Sequence, residues 1–251
     1  MHDKSWEKIF NDLQMDKHDF NSMPFIITAE QIKRACQDFK TTGEKEVRIL
    51  CKQDSREDRP KIFQDNGLFI LPIKNGTYCI IQGEGYVDMP KIESNPISHT
   101  SIMEFSLDTS KVGNSEMQHL DFAYASSVIR SFVEDRSLVL TIRGRKRTPK
   151  FDFMMGNHKI LVDSVQTEVD AGYEGKDTVV LVEAKNSNEN NTIIRQLYYP
   201  LRQWQSYTTK KVKTIFFDKD GKMYHIWQFE FSDLNNYSSI KLVKSARYTI
   251  E

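Results

Sequence analysis

The chain has 251 residues, 39% of them hydrophobic and 28% charged, with 35 basic and 35 acidic side chains and no formal net charge. That is enough for one large or two small domains with a core, and it excludes a nucleic-acid coat that works by bulk positive charge, although local patches still bind. No apolar run approaches membrane-spanning length, the N-terminus lacks the apolar stretch of a secretion signal, and three scattered cysteines (Cys36, Cys51, Cys79) suit free thiols in a reducing compartment, so a cytoplasmic protein is expected.

In chain order, Trp6, Ile9, Phe10 and Leu13 recur at helical spacing. Thr28, with Gln31 three residues on, predicts a capped helix over 29–39, stopped by Gly43. Residues 47–52 read as either strand or helix. Residues 67–73 and 77–82 are apolar strands joined by Lys74-Asn75-Gly76, a strong hairpin signal. Helices followed by a hairpin suit a winged-helix-like α+β region. Residues 83–100, with Gly83, Gly85, Pro90 and Pro96, read as a linker. A helix is expected from Glu116 to about residue 135. Strands follow at 138–143, 151–155, 160–165 and 178–184, then a helix over 192–207 and strands at 212–217 and 224–231. This order predicts an α/β fold, a mixed sheet flanked by helices, with a recognition domain at 1–100 and a second domain at 101–251.

The chemistry gathers at the strand Val179-Val180-Leu181-Val182, which ends in Glu183-Ala184-Lys185, with Asp170 upstream. Strand side chains alternate, so Glu183 and Lys185 share a face. Buried together, these charges are costly unless a divalent cation and a phosphate lie between them. The plainer alternative is that Glu183 and Lys185 only pair with each other and Asp170 is a loop residue beside Gly172.

Asp170 followed by Glu183-Ala184-Lys185 after an apolar strand resembles the PD-(D/E)xK nuclease superfamily, with Val169 where the family name has Pro. The likeness covers residues 110–231, and the two-part plan is most similar to type II restriction endonucleases. The resemblance implies a restriction-endonuclease-like core. It also implies Mg²⁺-dependent, site-specific hydrolysis of double-stranded DNA leaving a 5′-phosphate, with Mn²⁺ able to substitute. It assigns Asp170, Glu183 and the Ala184 carbonyl as metal ligands and Lys185 as the residue that orients or deprotonates water. Glu116 matches an acid the family often adds from the preceding helix, with Glu168 ranked behind it; a first-turn acid also favours a helix dipole without any ligand. A homodimer, and a cognate DNA methyltransferase acting on the same site, are the implied partners. Gln196 is the polar residue expected on the next helix. The Gln203–Tyr207 spacing resembles some repair nucleases, which keeps a structure-specific repair or recombination nuclease open, as does a non-catalytic DNA-binding protein.

The run Arg143-Gly144-Arg145-Lys146-Arg147-Thr148-Pro149-Lys150 reads as a DNA-contacting loop or as a solvated turn. Arg56 and Arg59 suit base reading or a surface ion-pair cluster. Lys33 and Arg34 suit a recognition helix or any exposed one. Tyr198, Tyr199, Trp204 and Tyr207 are expected to pack on the sheet, and His119 to be a polar helix residue.

Overall fold

The computed structural model describes residues 2–186 and 190–251. These residues form a mixed α/β protein of eight α-helices and fourteen strands. None of the described helices is long and apolar enough to cross a membrane.

The first helix, α1 (Asp3–Asp12), buries Trp6, Ile9 and Phe10, the stripe its spacing predicts. Strand β1 (Phe25–Thr28) runs into α2 (Ala29–Ala35) through the expected capping box: the Gln31 N–H donates to Thr28 Oγ1 at 3.2 Å and the Thr28 N–H to Gln31 Oε1 at 2.8 Å. The helix ends at Ala35, short of the expected residue 39. Short helices α3 (Thr42–Lys45), α4 (Val47–Leu50) and α5 (Lys61–Asp65) follow, so the undecided stretch at 47–52 is helical. Strands β2 (Leu68–Lys74) and β3 (Thr77–Gln82) form the expected hairpin, with Gly76 at φ +69° in the turn.

Strand β1 adds to the hairpin in the order β1-β3-β2. The hairpin is buried on both faces. Leu68, Ile70 and Ile80 face Trp6, Ile9 and Phe63. Phe69, Leu71, Cys79 and Ile81 face residues of the second half, including Phe153 and Tyr199. The hairpin is therefore a shared wall and not a free wing. The stretch read as a linker carries β4 (Tyr86–Asp88) and β5 (Ile97–His99), both paired with strands far downstream.

The helix expected up to residue 135 is two helices, α6 (Glu116–Ala125) and α7 (Val128–Val133), broken where Ser127 takes φ +72°. The strands after them are β6 (Val139–Arg147), β7 (Phe151–Met155), β8 (His158–Val162), β9 (Gln166–Glu174), β10 (Thr178–Lys185) and β11 (Asn191–Ile193). Helix α8 (Arg195–Gln205) leads to β12 (Lys211–Asp220), β13 (Met223–Phe231) and β14 (Ile240–Ile250). The main sheet has the order β5-β14-β13-β12-β10-β9-β6.

Strand β10 is an interior strand and pairs parallel with β12, with α8 in the crossover between them. Val180 and Val182 pack under α6 and α7, and Val179 and Leu181 pack with Leu201 of α8. Burial on both faces explains its unbroken apolar run. The β7–β8 hairpin leaves this sheet and packs Phe151 and Phe153 against Tyr198 and Tyr199, which are fully buried as expected.

Candidate functional site

Asp170 lies on β9, a strand the sequence did not announce. Strands β9 and β10 are antiparallel, and their pairing ends with Val182 opposite Ala171, next to Asp170 and Glu183. The Ala184 N–H donates to Asp170 Oδ2 at 2.8 Å, and Lys185 Nζ donates to Glu183 Oε1 at 2.7 Å. The side chains of Glu183 and Lys185 are only 10% and 15% exposed. Asp170, Glu183, Lys185, Glu116, Glu168 and Gln196 all line one cleft of about 600 Å³. The cleft lies where β10 leaves the sheet, and the first turns of α6 and α8 open onto it, bringing Glu116 and Gln196. Gln196 Oε1 accepts from the Thr192 hydroxyl at 2.6 Å.

Burial pushes the Glu183 carboxyl up to about 7, with Asp170 adding and Lys185 opposing. Asp170 is also raised by burial, partly offset by the Ala184 N–H and Lys185. Glu116 is raised by burial, with Asp170 adding. Burial alone would lower the Lys185 ammonium, but Glu183, Asp54 and Glu116 outweigh it and the net shift is upward. The cleft thus holds crowded carboxylates that resist ionisation and a lysine that stays charged.

Crowded, desolvated oxygen donors of this kind fit a hard divalent cation, which would relieve their repulsion. Among the described residues no three His, Cys, Asp or Glu side chains form a ready-made cage. Mg²⁺ needs only one or two carboxylates and keeps several waters. Ala184 is fully buried in the β10–β12 ladder, and its N–H holds Asp170.

The other residues expected to meet DNA do not line this cleft. The basic run is not a loop: β6 extends through Arg147 at the sheet edge, where Lys and Arg discourage strand addition. Arg143 is ion-paired with Asp121, and its charge reaches Asp170. Arg145 Nε donates to Glu168 at 3.0 Å, Lys146 sits 5.1 Å from the Trp204 ring centroid, and Arg147 Nη1 donates to the Ser164 carbonyl at 2.8 Å. Arg56 pairs with Glu84 and Asp88, and Arg59 donates to the carbonyls of Arg56 and Leu68. Both arginines have partners within the protein, and Arg56 fits the alternative of a surface ion-pair cluster. Lys33 and Arg34 lie on α2. Gln203 is fully buried; its Oε1 accepts from the Thr167 hydroxyl and its Nε2 donates to the Arg147 carbonyl at 3.1 Å. Tyr207 is exposed. Gln203 therefore has a structural partner set and does not line the cleft, and the expectation that Tyr207 packs on the sheet is corrected by its exposure. His119 is buried, with Nε2 2.9 Å from Asn114 Oδ1.

The first half also supplies residues that the sequence reading missed. Arg48, Lys52, Asp54 and Tyr78 line the cleft, together with Arg195 from α8. Asp54 is placed by a lock between the halves. Its carbonyl accepts from the Ile193 N–H at 2.8 Å. Asn191, nearly fully buried, accepts from the Arg56 N–H at 2.8 Å and donates to Glu57 Oε2 at 2.9 Å. Partners more than 130 residues apart leave no local pattern to find.

Fold and site together define a mixed α/β protein in which an interior strand delivers an acid and a lysine into a cleft lined in part by the N-terminal half. The chain belongs to the family described as a domain of unknown function (DUF6997), whose model matches residues 81–249. A second model, also described as a domain of unknown function (DUF6996), matches residues 3–80, so the two meet inside β3. No curated protein and no solved structure matches the chain.

Proposed function

We propose that this protein is a Mg²⁺-dependent endonuclease of the PD-(D/E)xK kind, hydrolysing phosphodiester bonds of double-stranded DNA in the manner of type II restriction enzymes. The observation that carries the reading is the meeting of Asp170, Glu183 and Lys185 on one face, at the open end of β10. Asp170, Glu183 and the Ala184 carbonyl are the groups that would hold the ion, with Glu116 on the rim. A bound divalent ion supplies polarisation of the phosphate and acidification of a water. Lys185 donates to the phosphate oxygens and offsets their growing charge, and its upward shift favours this role over that of a base. Glu168 and Gln196 stand beside the reacting groups as further polar contacts.

The test is digestion of unmodified plasmid or phage DNA with Mg²⁺ or Mn²⁺, followed by end sequencing. Discrete fragments with 5′-phosphates, lost in Lys185→Ala while DNA affinity persists, are the expected result. A wild type that binds DNA and cuts none under either ion overturns the reading in favour of a binding protein.

A further inference from the structure

Two arginines on α8 have opposite surroundings. Arg202 is closely partnered: its Nη1 lies 2.9 Å from the Asp152 carbonyl, 2.8 Å from the Tyr198 hydroxyl and near the Leu234 carbonyl, and its guanidinium lies 4.8 Å from the Phe151 ring centroid. Arg195, two turns earlier, is not. Its side chain is 22% exposed and lines the cleft, its Nε–H is buried with no acceptor, and its Nη2 lies 3.5 Å from Asp54 Oδ1, at the limit of a hydrogen bond. Lys52 Nζ is 3.6 Å from the other oxygen of the same carboxylate. Arg48 stands at the rim with its side chain 88% exposed and only a 3.5 Å contact to Glu46. Two cations thus share Asp54 loosely, and Arg48 lines the same cleft, as do Asp170 and Glu183.

We infer that Arg195, Lys52 and Arg48 form a subsite for a second phosphate of the nucleic-acid strand, beside the one that reacts, with Asp54 as a resident counter-anion that the phosphate displaces. The planar guanidinium matches two phosphate oxygens at once, and the ammonium adds a point charge. A purely structural arginine would hold close acceptors, as Arg202 does. The two halves then grip one strand together, since Lys52 and Asp54 come from the first and Arg195 from the second. The choice of nucleic acid as ligand rests on the nuclease reading; the subsite itself requires only a phosphate.

The test is binding of a short fluorescein-labelled DNA duplex by anisotropy, in EDTA so that cutting plays no part, over a series of salt concentrations. Arg195→Ala should weaken binding about tenfold or more and reduce the slope of log K against log salt by about one. Arg195→Lys should keep the slope and recover part of the affinity. Asp54→Asn, which leaves the cations in place, should tighten binding, and it decides the matter if Arg195→Ala melts early. Unchanged binding by Arg195→Ala, weaker binding by Asp54→Asn, or no binding by the wild type overturns the inference. A wild type that cuts DNA while Arg195→Ala binds it normally sinks the subsite alone. A wild type that binds through Arg195 but never cuts sinks the nuclease reading alone.

Discussion

Replacing Glu183 by Gln tests the electrostatics of the cleft without any assumption about its substrate. Glutamine keeps the size of the side chain and an oxygen for Lys185 Nζ, and it matches the protonated acid. Burial displaces the Glu183 carboxyl from 4.5 to about 7. Below the lower value the acid is neutral in both folded and unfolded chains, and the variant should equal the wild type. As pH rises from 4.5 to 7 the unfolded chain loses its proton first, so the wild type loses stability across that window. At about 1.4 kcal/mol per pH unit, the full displacement corresponds to roughly 3 kcal/mol above pH 7. The assay is urea denaturation of both proteins in EDTA at several values between pH 4.5 and 8.5. The difference in unfolding free energy should open with pH in favour of Glu183→Gln. A flat difference, or a wild type that gains on the variant as pH rises, would refute the account of a carboxyl held against ionisation.

At pH 8, millimolar Mg²⁺ should raise the melting temperature of the wild type, because an ion bound only to the folded state stabilises by mass action, and should do much less for Glu183→Gln; equal responses in a thermal melt would count against the cation site. Gln203→Leu should cost about 1–3 kcal/mol, since it removes the buried hydrogen bonds to the Thr167 hydroxyl and the Arg147 carbonyl, and a denaturant midpoint equal to wild type would contradict that network. Asn191→Ala should cost a similar amount, on the order of 1–3 kcal/mol, by opening the lock that places Asp54; resistance to limited proteolysis equal to wild type would argue otherwise. Gly172→Ala should destabilise by about 1–3 kcal/mol, because a new Cβ would lie 2.6 Å from that of Ile142, and an unchanged melting temperature would show that β6 yields there.

Much of the fold was legible where the signal is local. The capping box at Thr28 and Gln31, the Asn75-Gly76 hairpin and the buried run of β10 each need only a few neighbouring residues. The end of β10 was legible too, because a charged pair closing an apolar strand is conspicuous. Strand β9 was hidden because Glu168, Asp170, Gly172 and Glu174 give it the composition of a turn, while its buried partners lie on other strands. The basic residues of β6 suggested a loop for a related reason: an edge strand tolerates charge that a central strand would not. The break between α6 and α7 was read through as one helix, although Ser126 and Ser127 lie at it and serine favours termini over interiors. Residues 83–100 carry the composition of a linker, yet strands of three residues need little intrinsic preference when a partner supplies the hydrogen bonds. Asp54 and Arg195 were beyond sequence reading because only the folded chain joins them.

The hairpin with two buried faces bears on how the protein is made. A ribosome releases the N-terminal helices and the hairpin first, and these can close their own core around Trp6 and Phe63. Phe69, Leu71, Cys79 and Ile81 must then wait, uncovered, until Phe153 and Tyr199 have been synthesised. The nascent chain therefore carries an oily surface through much of its translation, a binding site for a chaperone and a risk of clumping when expression is fast. A gene split at the seam between the two family models would make that temporary exposure permanent.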